Sequence, residues 1–84
     1  MEMAEFIGVH KLLPDMKAED VEAGYQSYKE SAMKMGLKPM RAHYSMEKAV
    51  AYCETEASSA EEVRKAHEGA AIPLEDVIEV KTIE

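Results

Sequence analysis

Tryptophan is absent from this chain of 84 residues, cysteine and phenylalanine occur once each, and there are only four glycines and three prolines. Each scarcity excludes something. A single cysteine, Cys53, cannot form an intrachain disulfide, so a reducing compartment is its natural setting. Apolar runs are short, and none approaches the ~20 residues needed to span a bilayer. The opening segment MEMAEFIGVHK has no basic stretch leading into a long apolar one, so no secretory signal is read there and a cytoplasmic location is expected. Basic residues are outnumbered 10 to 17, for a net charge of −7, and they do not cluster. That charge repels phosphate backbones, which argues against nucleic acids and anionic membranes as partners. There is no glycine-rich phosphate loop and no serine in a nucleophile-elbow context. No two Cys or His residues lie close in sequence, so the local zinc signatures are missing as well.

What is present is a regular alternation of periods. Glu5–Lys11 is short, apolar and β-branched enough for a strand, and Leu12-Leu13-Pro14-Asp15 breaks it. From Ala18 the apolar residues Val21, Tyr25, Tyr28, Ala32 and Met35 recur at helical spacing, with Glu19 and Asp20 in the first turn and Gly36 as the stop. Leu37–Tyr44 and Ala49–Thr55 read as a pair of strands turning at Met46-Glu47, the first at a sheet edge because Pro39 lacks an N–H. Ser59 and Glu62 have capping-box spacing and open a second helix striped by Ala60, Val63, Ala66 or His67, and Ala70; Gly69 and Pro73 are expected to end it. Asp76–Ile83 is a last strand. This order predicts one α+β domain over residues 1–84, a ferredoxin-like βαββαβ sandwich with two helices on one face of a four-stranded antiparallel sheet. A domain this small buries only about 60–65% of its unfolded surface, so association with a second copy would help it.

Period-two alternation sorts the strands into faces. Met40, Ala42, Tyr44, Ala49, Ala51 and Cys53 are expected beneath the helices. Arg41, His43, Val50, Tyr52 and Glu54 are expected on the open face. In the first strand Ile7 and Val9 suit the core, which puts Phe6, Gly8 and His10 on the open face. Phe6, Val50 and Tyr52 would then form an apolar patch for a second copy to cover, so a homodimer packed sheet to sheet is expected.

The chemistry-bearing residues each have a plain structural alternative. Cys53 is a soft metal ligand or simply a small buried residue of a central strand. His10, His43 and His67 are ligands, or surface and packed histidines. Any site must be assembled by folding: His10 and His43 share the expected open face, while His67 leans toward Cys53 from the helix layer. All four in one site would straddle the sheet, which is easier at a dimer interface than within one subunit. Tyr25 and Tyr28 lie on the helix stripe and read as core, and the scattered methionines as filler.

From Ala51 onward the run AYCETEASSAEEVRKAHEGAAIPLEDVIEV resembles a family of small stand-alone ferredoxin-like domains, one branch of which is described as nickel-binding. The resemblance is carried by Tyr52-Cys53, Glu56-Ala57, Ser59, Val63-Arg64, His67, Pro73 and Glu79-Val80, and more loosely by Leu13-Pro14 and Ala18-Glu19-Asp20-Val21. It implies the ferredoxin-like fold, dimerisation, and a site for nickel or another divalent transition metal at Cys53 and His67. The reading is therefore a dimeric metal-binding module for buffering, storage or sensing, with Cys53, His67, His10 and His43 as candidate ligands. Two other classes stand beside it. One is a cofactor-free monooxygenase or isomerase using His43, Tyr52 and Arg41; the other is an interaction module with no small ligand.

Overall fold

A computed structural model describes residues 2–84. The elements follow in the order β1 (Ala4–Lys11), α1 (Ala18–Lys34), β2 (Lys38–Ser45), β3 (Val50–Ala57), α2 (Ala60–Gly69) and β4 (Asp76–Val80). The strands form one antiparallel sheet in the order β2-β3-β1-β4, the ferredoxin-like βαββαβ arrangement. Both helices lie on one face. The core between the layers gathers Phe6, Tyr28, Ala32, Leu37, Cys53, Ala57, Val63, Ala66 and Val77.

Local chemistry explains the boundaries. Helix α1 starts where Asp20 accepts the Lys17 backbone N–H at 2.9 Å, and it ends at Gly36, whose φ of +79° closes the last turn. There the Gly36 N–H reaches the Met33 carbonyl and the Leu37 N–H reaches the Ala32 carbonyl, both at 3.0 Å, which completes a Schellman cap. Helix α2 starts with Ser59 accepting the Glu62 N–H at 3.3 Å. The Glu62 carboxylate reaches back one residue beyond the expected box partner, to the Ser58 N–H at 2.9 Å and its hydroxyl at 2.6 Å.

Two expectations about the sheet need correction. The β2–β3 pair turns later than Met46-Glu47: Tyr44 faces Ala51 and Ala42 faces Cys53, with a four-residue connection ending in Ala49 at φ +58°. A shift of two residues preserves the faces, so Ala51 and Cys53 are buried under the helices as expected, but an irregularity between Pro39 and Arg41 turns Met40 outward. In β1 the assignment is reversed. Gly8 pairs with Cys53 and Phe6 with Thr55, so Phe6, Gly8 and His10 face the helices while Ile7 and Val9 lie on the open face. Both faces of this strand are apolar, so hydrophobicity alone does not choose between them. Phe6 is the larger buried side chain, and position 8 has room only for hydrogen: a Cβ there would stand 2.7 Å from Cys53 Sγ.

Candidate metal centre

The inversion of β1 brings a third group to Cys53. His10 enters from β1, diagonal to Cys53 on β3, and His67 descends from α2 through the space left by Gly8. Nε2 of His10 lies 3.5 Å from Cys53 Sγ, and Nε2 of His67 lies 3.4 Å from it. Among the described residues, this is the one group of three or more His, Cys, Asp or Glu residues placed to hold an ion, its ligand atoms all within 4.8 Å of one another. Bonds of roughly 2.0–2.1 Å to imidazole and 2.3 Å to thiolate put N and S about 3.1–3.6 Å apart around one metal, and the spacings here fall in that range.

Second contacts fix both rings. Nδ1 of His10 is 2.9 Å from the Pro73 carbonyl and Nδ1 of His67 is 2.8 Å from the Val63 carbonyl. A carbonyl can only accept, so each Nδ1 carries the proton and each Nε2 presents a lone pair toward the sulfur. The ring of His67 also stacks on Tyr28 with centroids 3.9 Å apart, and Tyr28 is anchored by a 2.6 Å hydrogen bond between its hydroxyl and that of Thr55. Burial lowers both imidazoles, His67 to about 4, and raises the Cys53 thiol to about 11. With these shifts the three side chains by themselves are neutral at pH 7. They hold two acceptor nitrogens and one thiol proton, which can serve only one of them. A divalent cation replacing that proton gives every donor a partner, and two imidazoles with a thiolate suit nickel, copper or zinc.

The structure does not bring His43 to the other three. It lies on the open face, 2.8 Å from Glu54, which also binds Arg41 at 3.1 Å. Alternation alone puts both His43 and His10 there; with His10 on the helix side instead, no site need straddle the sheet, and one subunit brings three candidate ligands together. Sequence reasoning also missed Gly8, whose signal was its place two residues before His10 on one face. Beside the group lies a cavity of about 870 Å³ between α1 and the sheet, bordered by all three residues.

The family model described as "Nickel responsive protein SCO4226-like" matches residues 6–80. Among solved structures, the chain is similar to SCO4226 from Streptomyces coelicolor A3(2), with a TM-score of 0.85 and 22% identity over 96% of this chain and 100% of that one. At that identity the likeness speaks for the fold. No curated protein matches the chain.

Proposed function

We propose that this chain, which belongs to the SCO4226-like family of nickel responsive proteins, binds a divalent transition metal, nickel first, through His10, Cys53 and His67, in the service of metal buffering, storage or sensing. The observation that carries the reading is the proton count: two imidazoles with fixed tautomers aim lone pairs at one thiol that cannot satisfy both. The acidic surface favours cations over nucleic acids, and a reducing cytoplasm would keep Cys53 available as a ligand. The working form in this proposal is a homodimer joined by the open sheet face, where Ile7, Val9, Tyr52 and Ile78 stand together outside the core.

Calorimetric titration of metal-stripped protein with nickel, zinc and copper tests the site. One nickel per chain is expected at pH 7, with release of about one proton, because the thiol is protonated and the imidazoles are not. Cys53→Ala and His10→Gln should each weaken binding by at least about 100-fold, and His43→Ala should not. Absence of binding for all three metals would overturn the proposal.

A further inference from the structure

The cavity beside the three ligands is larger than a metal ion requires. Its volume of about 870 Å³ comes from a shortage of side-chain bulk: Ala42, Ala51 and Cys53 form the floor, and α1 presents Gly24 toward it. A Cβ at Gly24 would meet nothing nearer than Ile72 at 3.9 Å, so room remains there. Most of the exposed lining is apolar, with Val21 and Ile72 among the walls. Tyr25 lines the same cavity, and its buried hydroxyl has no hydrogen-bond partner. A buried donor left unsatisfied is costly; the hydroxyl is covered as the ring stands, and a small turn of the ring would offer it to an incoming acceptor. Sites for small organic ligands have this character: a few hundred to about 1,000 Å³, mostly apolar, with a small number of polar groups.

Charge selects the ligand class. The rim carries Lys11 and Arg41 against Asp20, Glu22 and Glu75, so it gives an anion no net attraction. The inner end is different, on the metal-binding reading given above. A divalent ion with two neutral imidazoles and one thiolate leaves one positive charge facing an apolar space, and three protein ligands leave a coordination position open. One carboxylate neutralises that charge.

We propose that the cavity binds a small apolar monocarboxylate, its hydrocarbon body between α1 and the sheet and its carboxylate at the inner end beside His10, Cys53, His67 and the Tyr25 hydroxyl. This rests on the metal reading for its charge and on the cavity for its shape. The metal centre would therefore work together with an organic anion.

Three probes, benzoate, 2-naphthoate and octanoate, would be titrated into nickel-loaded and metal-stripped protein after nickel occupancy has been measured by itself. At least one should bind the loaded form ten or more times tighter than the stripped form and shift the nickel absorption bands. Gly24→Leu, which fills the cavity from the helix side, should keep nickel but weaken the carboxylate at least tenfold, and Tyr25→Phe should weaken it about threefold or more. Nickel bound with none of the three carboxylates would overturn this inference and leave the metal site standing. Equal carboxylate binding with and without nickel, or binding indifferent to Gly24→Leu, would also overturn it. Failure of nickel itself to bind would be seen in the first measurement and would remove both readings.

Discussion

Of the three candidate ligands, His67 is the most committed to the neutral state. It is 1% exposed, stacked on Tyr28, and donates Nδ1–H to Val63, and burial holds its pKa down to about 4 against 6.5 unfolded. The linkage has a definite sign. Above pH 6.5 neither state of the metal-free chain protonates this ring; between 6.5 and 4 the unfolded chain takes up a proton that the folded one refuses. Stability therefore falls as the pH drops through that window, by up to roughly 3 kcal/mol. His10 adds to the loss, since its pKa is lowered too. Urea denaturation of metal-free protein at several pH values between 7 and 4.5 should show a steeper acid decline for the parent than for His67→Phe, which keeps the stack and removes the proton site. Parallel declines would mean that His67 is not buried neutral. At this scale the sequence was partly legible. Cys53 fell on the buried side of β3 by simple alternation, and a helical His67 was free to lean toward it. His10 was misplaced because Ile7 and Val9 are as apolar as Phe6, and the constraint at Gly8 is the clash that any added Cβ would make with Cys53 Sγ, 45 residues away in the chain.

Among the elements, the two helices end in the same way with different residues. Gly36 closes α1, as its position suggested. In α2 the residue with positive φ is Ala71, at +58°, with its N–H on the Glu68 carbonyl and the Ile72 N–H on the His67 carbonyl. Gly69, the expected stop, is instead the last helical residue and serves packing: a Cβ there would lie 2.7 Å from Ser31 Oγ, which donates to the Ala66 carbonyl at 2.8 Å. Glycine as helix end and glycine as close helix contact look alike in a sequence, since both sit near the end of the apolar stripe. The difference has a measurable consequence. Alanine in the left-handed region costs about 1–2 kcal/mol, part of which glycine returns as lost chain entropy, so Ala71→Gly should stabilise the protein by about 0.5–1 kcal/mol. In thermal unfolding this is a rise of roughly 2–8 °C. A fall in melting temperature would show that the Ala71 turn is not the cap of α2.

For the whole molecule, helices cover one side of the sheet, and among the described residues no helix covers the other. Across that open side run Ile7 beside Ile78 and Val9 beside Tyr52, with Ile78 46% and Tyr52 40% exposed. Three strands of eight residues and one of five, about 4.8 Å apart, present roughly 500 Å². Two such faces together approach the ~1,000 Å² that a specific interface needs. The apolar patch inferred from the sequence was right in place but wrong in one member: Phe6 is buried in the core, and Ile7 and Val9 take its role. Because His10, Cys53 and His67 lie on the helix side, association through the open face should not alter them. That separation makes the prediction specific. Sedimentation at micromolar concentration should find a dimer for the parent, and Tyr52→Glu with Ile78→Glu should yield a folded monomer. That monomer should still bind one nickel per chain, with an affinity within about threefold of the parent's. A monomeric parent would refute the dimer, whereas loss of nickel from a folded monomeric variant would show that the site draws on the partner after all.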